Sequence, residues 1–296
     1  MSHHTTATLA KNFIKLAQQC HTGISRKLLS PVKHRSVVKA GFPYVDFNAR
    51  AMLQPWGVLK LLELARITCW FDSQEPYMDF DQMHRLIFMA SASLQIKPQV
   101  YDVELEKRPI TVDLELDYVG KTSLKLANKV FFPGHSEPLV LSEMQIVLVD
   151  METKKPAPPP QWWTDKFSRE VNGSGKPLIL PSTPVPTDGQ MAEVEVLVLP
   201  SDVDPYVHAS SAQYIKYVVE AYVRWHIKEY GYVNNGDPFR NLKSMCQSFK
   251  GEASIGDLLK VKFWPSPENQ DLFHFHFLKG QNLIHECVAE FYPLEK

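Results

Sequence analysis

Cysteine is scarce in this chain of 296 residues. The four cysteines form no CxxC pair and stand far apart, at Cys20, Cys69, Cys246 and Cys287. A zinc knuckle or a disulfide framework needs cysteines at short, regular spacings, so this pattern predicts neither. A reducing compartment suits such scattered thiols best.

A charge excess and a long apolar run are also missing. Lysine and arginine number 32, and aspartate and glutamate number 33. Nucleic-acid binding needs a basic face that neutralises phosphates, so we expect no nucleic-acid partner. A membrane span needs roughly 20 apolar residues, and even the apolar segment after Pro55 is interrupted by Lys60, Glu63 and Arg66. We therefore predict no membrane span.

Acidic residues are absent from the first 45 positions. The basic residues there are Lys11, Lys15, Arg26, Lys27, Lys33, Arg35 and Lys39. Such a bias is similar to that of organelle transit peptides. We favour a second interpretation, an amphipathic helix around Leu9, Phe13 and Leu16 followed by a basic loop. The predicted location is cytoplasmic, and the mitochondrion is the alternative.

Proline is concentrated in one stretch, residues 157–190. Proline fixes φ and removes a backbone donor, so this stretch is predicted to be an extended linker. Trp162 and Trp163 would hold it in a surface groove. The predicted organisation is a basic N-terminal extension (1–35), a first repeat (36–156), the linker (157–190) and a second repeat (191–296).

The two flanks of the linker show the same order of elements, which indicates an internal repeat. Each begins with a short strand, Ser36–Val45 in the first flank and Glu193–Leu199 in the second. A loop with acidic or amide residues follows, and then a strongly apolar helix. These helices are predicted near Pro55–Phe71 and Ser211–Ile227, and Pro55 suits a helix start.

Alternating apolar and polar residues predict antiparallel strands after each helix. The strands are expected at 110–118, 124–132 and 139–149 in the first flank, and at 259–263, 273–277 and 283–291 in the second. A buried helix followed by a long antiparallel sheet is the plan of the hot-dog fold. The sequence therefore predicts an α+β protein, a tandem or double hot-dog in which each repeat is a curled antiparallel sheet wrapped around a central helix.

One segment carries a motif, the run D-V-D-P-Y-V-H-A-S-S-A-Q-Y from Asp202 to Tyr214. It resembles the D-x-D-x-x-x-H-x-N-N-x-x-Y signature of the hot-dog thioesterases, which include acyl-ACP thioesterases (ACP, acyl carrier protein) and 4-hydroxybenzoyl-CoA thioesterase-like enzymes. Asp204 and His208 fall in register with it. Downstream, Glu252 resembles the acid of the strand that supplies a Glu-Cys pair in acyl-ACP thioesterases.

The chain departs from this pattern at several positions. Ser210 and Ser211 replace paired asparagines, and Tyr206 replaces a catalytic-type asparagine. Ala253 replaces the thiol, which excludes a cysteine nucleophile at that position.

In the first repeat, Asp46-Phe-Asn48 takes the place of Asp202-Val-Asp204, but Met52 stands where the histidine would be. The run from Glu63 to Arg66 resembles the E-x-A-R helix of small acyl-CoA thioesterases. We predict that the first repeat is the degenerate half.

The resemblance implies hydrolysis of acyl thioesters, acyl-CoA or acyl-ACP, without a metal or another cofactor. A base deprotonates water or a carboxylate attacks directly, and backbone amides stabilise the oxyanion. The predicted catalytic residues are Asp204, His208 and Glu252. The predicted substrate-binding residues are Ser210, Ser211, Tyr214, Asn48 and Gly57, the last as the start of a helix that could supply oxyanion amides across the repeat interface.

Several alternatives stay open at this point. Asp202 and Asp204 would also serve as plain capping residues, and Tyr214 would also suit the core. The alternative to an enzyme is a catalytically silent hot-dog protein that binds acyl groups or acts as a scaffold, and a hydratase or dehydratase is a third possibility. The expected assembly is a monomeric pseudo-dimer or a homodimer of it.

Overall fold

The structure is a computed structural model that describes residues 23–70, 80–171, 175–180, 182–183, 185–186, 191–204, 207–231 and 238–293. The helix expected around Leu9, Phe13 and Leu16 lies outside these residues. No helix in the described ranges combines the length and apolar character needed to cross a membrane.

Two long helices and two short ones are present in the described residues. The helices are α1 (Pro55–Trp70), α2 (Phe80–Met83), α3 (Gln161–Phe167) and α4 (Ser211–Tyr230). The strands are β1 (Ile24–Ser30), β2 (Lys33–Val38), β3 (Arg85–Ile96), β4 (Ile110–Val119), β5 (Ser123–Phe131), β6 (Val140–Asp150), β7 (Ala192–Leu197), β8 (Leu242–Phe249), β9 (Leu258–Pro265), β10 (Leu272–Lys279) and β11 (Asn282–Phe291). The α+β class is confirmed.

The described strands form one antiparallel sheet in the order β1-β2-β4-β5-β6-β3-β8-β11-β10-β9-β7. Up to β3 the strands come from the N-terminal part of the chain, here called the first half. From β8 onward they belong to the second half. Apart from the extra edge strand β1, both halves have the same order, in which the strand before the long helix pairs with the second strand after it. Pairing of β3 with β8, from Ser91↔Ser248 to Gln95↔Ser244, joins the halves.

The two long helices lie against each other and share one core with the sheet. In α1 the side chains of Val58, Leu62 and Ala65 are almost fully buried, and in α4 those of Ile215 and Val218 are too. Burying a large apolar side chain stabilises a fold by about 1.5–3 kcal/mol. The residues of both halves belong to a single cluster, so neither long helix packs only against its own strands.

The linker contains a short helix and a strap. In α3, Trp163 and Phe167 are buried against the first half, whereas Trp162 is partly exposed. Residues 175–180 and 182–183 lie over the face of the sheet opposite the long helices, because alternation puts Gln145 and Glu286 on that face. Leu178 N donates to Gln145 Oε1 at 3.1 Å, and Ser182 Oγ donates to Glu286 Oε1 at 2.8 Å.

Some predicted elements differ from the structure. The strand expected at Ser36–Val45 is Lys33–Val38, preceded by β1, and residues 44–46 form a 3-10 turn. Strands β3 and β8 were not predicted. Ser91 lies on the outward face of β3 and is buried, and its Oγ donates to Leu178 O of the strap at 2.6 Å. Gln247 of β8 is also buried, but it lies in register with Ala92 on the inward face. Buried polar residues of this kind leave no apolar alternation to read.

Candidate active site

The loop that leads into α4 is held by Asp202. Its Oδ2 atom accepts hydrogen bonds from Leu199 N at 2.9 Å and from the Tyr217 hydroxyl at 2.8 Å. The helix itself is capped by Ser210, whose Oγ accepts from Gln213 N at 3.3 Å. Asp202 therefore stabilises its own 3-10 turn and ties that turn to α4, and a serine caps the helix.

Asp204 and His208 close a tight turn before the helix. Asp204 N donates to His208 O at 2.9 Å and Val207 N donates to Asp204 O at 2.8 Å. Asp204 Oδ1 also accepts from the backbone N–H of His208 at 3.4 Å. Val207 has a φ of 66°, which is unusual for a β-branched residue and marks local strain of the kind found at functional sites.

Glu252 reaches His208 from the connection between β8 and β9. This connection is a turn, residues 251–257, and not the strand that the resemblance implies. Its backbone runs beside the chain at His208, because His208 and Ser254 form an isolated β-bridge and Ala209 N donates to Ala253 O at 2.8 Å. The result is a contact of 3.1 Å between His208 Nε2 and Glu252 Oε2, with both side chains partly exposed.

The first half repeats the backbone hydrogen bonds found at Asp204 and His208, with different side chains. Asn48 N donates to Met52 O and Ala51 N donates to Asn48 O, both at 2.9 Å. Asn48 Oδ1 accepts from Met52 N at 3.0 Å, and Ala51 has a φ of 58°. Asn48 thus has the backbone role of Asp204, but Met52 brings no titratable group to the place of His208.

A cleft of about 240 Å³ lies between the two halves. Helix α1 contributes three side chains to it, Trp56, Lys60 and Glu63. The second half contributes Ser201, Asp202, Val203, Asp204, Ser210, Ala212 and Gln213. Of the predicted catalytic residues, Asp204 lines the cleft. His208 is one turn away, and it contacts Asp204 through its backbone N–H and Glu252 through its ring.

For two predicted substrate-binding residues, Tyr214 and Gly57, the contacts in the structure are those of packing residues. Tyr214 is 2% exposed and packs against the His285 ring, with 4.2 Å between the ring centroids. Burial raises the pKa of Tyr214 and lowers that of His285 to about 3. Gly57 donates its N–H to Gln54 O at 2.9 Å, and a Cβ atom there would lie 2.7 Å from Cβ of Asp46. Close packing explains this glycine.

The α1 side of the cleft was missed by the sequence prediction. Trp56, Lys60 and Glu63 stand at positions i, i+4 and i+7, which share one helix face, so the signal was present. Lys60 Nζ lies 3.6 Å from Oδ1 of the buried Asp46. Burial raises the pKa of Asp46, and the Lys60 ammonium opposes that shift.

Metal ligation is not indicated by the described residues, which contain no group of three or more His, Cys, Asp or Glu side chains suited to hold an ion. His276, which faces outward on β10, lies 3.4 Å from Glu286 Oε1. Glu286 also contacts Lys250 Nζ at 2.8 Å. These contacts hold Glu286 on the outward face of the sheet, beneath the linker strap.

Sequence comparison gives no relative, because no family model matches the chain and no curated protein matches it significantly. Solved structures match nearly the whole chain. The 12:0-ACP thioesterase from Umbellularia californica has 12% identity and a TM-score of 0.63, covering 90% of this chain and 99% of that one. This chain has the fold of the acyl-ACP thioesterases. The acyl-ACP thioesterase from Bacteroides thetaiotaomicron VPI-5482 has 11% identity and a TM-score of 0.61, covering 92% and 99%. The TM-scores establish the fold. Because the identities are low, the reaction has to be inferred from the site.

Proposed function

We propose that this protein hydrolyses acyl thioesters of acyl carrier protein or coenzyme A, with Asp204, His208 and Glu252 as the catalytic residues. The observation that carries the proposal is the 3.1 Å contact between His208 Nε2 and Glu252 Oε2. His208 is one turn away from Asp204, which lines the cleft between the halves, and the chain has the acyl-ACP thioesterase fold.

The architecture in this proposal is a tandem of two hot-dog repeats joined by the proline-rich linker. The equal strand order of the two halves supports it. So does the turn at Asn48 and Met52, which repeats the backbone hydrogen bonds at Asp204 and His208. The bounds 191–296 fit this order, whereas the first repeat has to start with β2 at Lys33 and not at residue 36. Strand β1 is an additional edge strand before the first repeat.

His208 is the base in the proposed reaction. If its Nε2–H donates to Glu252, the Nδ1 atom carries a lone pair and can take a proton from water. The hydroxide formed attacks the thioester carbonyl carbon, and the C–S bond breaks when the tetrahedral intermediate collapses. The proton on His208 then passes to the departing thiolate, so the products are a free acid and a thiol. Glu252 stabilises the imidazolium in between.

Asp204 has two roles in the proposed site. Its backbone fixes the turn, and its side chain lines the cleft where the thioester would lie. A carboxylate there can hold the attacking water by hydrogen bonding, which orients it toward the carbonyl.

The first turn of α4 supplies oxyanion donors in this proposal. The first N–H groups of a helix have no intrahelical acceptor, and those of Ser210 and Gln213 are used by Asp202 O and by Ser210 O. Among the described residues no backbone acceptor is found for the N–H groups of Ser211 and Ala212, which lie at the positive end of the helix. Ala212 lines the cleft, so this end of α4 is suited to stabilise the oxyanion. On α1 the Gly57 N–H already donates to Gln54 O.

Thiol release from panels of acyl-ACP and acyl-CoA substrates tests the proposal. The wild type is compared with Asp204→Asn and His208→Ala, and with Glu220→Gln as a control. Glu220 is an exposed acid on α4 that lies 3.7 Å from Lys216 Nζ. We expect activity in the wild type and the control, and losses of about 100- to 10,000-fold in the two site variants.

Two outcomes contradict the proposal. Background rates of the wild type on every substrate, together with measurable acyl binding, would support the silent binding protein. Wild-type rates in both site variants would move the chemistry to other residues.

A further inference from the structure

The turn that carries Glu252 is fixed by Asp257 at its far end. Asp257 Oδ2 accepts a hydrogen bond from Ser254 N at 2.7 Å. The same oxygen lies 2.6 Å from Nζ of Lys279, the last residue of β10. One carboxylate therefore closes the turn on itself and ties it to the neighbouring strand.

Backbone contacts connect this turn to the segment at His208 and Ala209. Ser254, which Asp257 holds, forms the β-bridge with His208. Ala253 O accepts from Ala209 N at 2.8 Å. On the other side, Gly256 N donates to Val198 O and Val198 N donates to Asp257 O, both at 2.9 Å. The turn that carries Glu252 is therefore hydrogen-bonded directly to the segment that carries His208.

Asp257 is also suited to remain ionised in this place. Burial opposes its ionisation, but the hydrogen bonds from Lys279 and from Ser254 N–H outweigh burial, and the pKa of Asp257 lies below its ordinary value. Gly256 has a φ of +86°, a conformation that a glycine adopts readily and that lets the backbone turn back toward Ser254.

We propose that Asp257, supported by Lys279, is a positioning residue that sets the distance between Glu252 and His208. This inference rests on the proposed function, because it assigns Asp257 a role in the same site. Asp257 acts through the backbone at Ser254, Ala253 and Ala209. Its loss should therefore slow the chemical step, which depends on alignment, more than it weakens substrate binding.

Kinetics of the full chain test the proposal with graded variants. Asp257→Ala should lower kcat by about 100-fold, with KM nearly unchanged, since a misplacement near 1 Å costs that much. Asp257→Asn keeps an oxygen acceptor for Ser254 N–H and should stay within about threefold of the wild type. Lys279→Met removes a partly exposed charge and should cost about threefold.

Lys262→Met is the matched control for Lys279→Met. Lys262 is on the adjacent strand β9, and its Nζ lies 4.0 Å from Glu193 Oε2 in a partly exposed ion pair with strand β7. We expect wild-type kcat and KM for it. The free energy of unfolding of each variant shows how much protein is folded under the assay conditions.

Amide hydrogen exchange gives a readout that does not depend on activity. In Asp257→Ala the N–H groups of Ser254 and Ala209 should exchange about tenfold faster, whereas that of Phe275 in the core of β10 should not change. Unchanged exchange at Ala209, or a kcat that falls only with the folded fraction, contradicts the positioning role.

The outcomes separate this inference from the proposed function. If His208→Ala keeps full activity, the proposed site fails whatever Asp257 does. If His208→Ala is inactive while Asp257→Ala keeps full kcat and normal exchange, the proposed function stands and only the role of Asp257 is overturned.

Discussion

The turns before α1 and α4 share their described backbone hydrogen bonds and differ in chemistry. Asn48 and Asp204 accept equivalent hydrogen bonds, and Ala51 and Val207 both have positive φ. At the next residue the first half has Met52 and the second half has His208 with Glu252 beside it. The comparison teaches that the loop geometry belongs to the fold, whereas the proposed reactivity depends on two side chains that only the second half has.

A second difference concerns the buried aspartates at the start of each turn. Asp202 has donors in Leu199 N and the Tyr217 hydroxyl. In Asp46, Oδ1 is buried without a hydrogen-bond donor among the described residues. By the same register, Pro43, which has no N–H, replaces Leu199, and Leu61 replaces Tyr217. The first half therefore has the buried carboxylate, Asp46, without counterparts of the two hydrogen-bond donors that Asp202 has.

The largest effect is expected from breaking the pair that only the second half has. Glu252→Gln removes the charge that stabilises an imidazolium on His208, and kcat should fall about 100-fold. The substitution lies on an exposed turn, so the free energy of unfolding should stay near that of the wild type. Thiol release and urea denaturation measure the two quantities. A fall in kcat that appears only together with unfolding contradicts this interpretation.

Tyr217→Phe makes Asp202 more like Asp46. The variant leaves a buried carboxylate oxygen without its hydroxyl donor, which should lower the free energy of unfolding by about 1–3 kcal/mol. Tyr44→Phe is the control, because Tyr44 is 89% exposed. Urea denaturation measures both variants. Equal stability of Tyr217→Phe and the wild type would show that Asp202 does not depend on this bond.

Asp46→Asn tests the other aspartate through pH. Burial raises the pKa of Asp46 above its ordinary 3.8, so the folded state binds its proton more tightly than the unfolded state does. The resulting stability is fully present below pH 3.8 and is lost as pH rises through the raised value. The wild type should therefore lose stability relative to Asp46→Asn as pH rises from about 3 to 7. Urea denaturation across that range measures it, and a parallel pH dependence in both proteins contradicts the prediction.

The smallest effect is expected from Asn48→Asp, which restores the acid but not the base. Met52 still occupies the position of the histidine and supplies no base, so kcat and KM should stay within about twofold of the wild type. Thiol release measures both. A gain in activity would mean that the first half needs only an acid and is closer to a working site than the comparison indicates.

Much of the fold could be predicted from the sequence. The helices at Pro55 and Ser211 were recognisable from their buried apolar residues, which surround nearly all of α1 and cover the core-facing side of α4. The strands β4–β6 and β9–β11 followed from alternation on a half-buried sheet. Strands β3 and β8 could not be predicted in this way, because buried polar residues interrupt their alternation. Ser91 is covered by a linker far away in sequence, and Gln247 faces the core. The short helix α3 also depends on a tertiary contact, the burial of Trp163.

The site was predicted in part. Asp204, His208 and Glu252 were expected from the motif, and the structure brings the last two into contact, but their catalytic role stays a prediction. Tyr214 lies in register with the motif, yet its ring packs on His285, a partner that no local pattern identifies. The α1 side of the cleft shares one helix face, but only the packing of α1 beside α4 shows that this face meets the second half.

The most direct test of the asymmetry between the halves is one pair of rates. Thiol release by Met52→Ala and by His208→Ala is measured beside the wild type, on the acyl thioester that the wild type hydrolyses fastest. The account predicts that Met52→Ala stays near the wild-type rate and that His208→Ala falls by about 100-fold or more. Equal rates for the two variants, whether both high or both low, would contradict it.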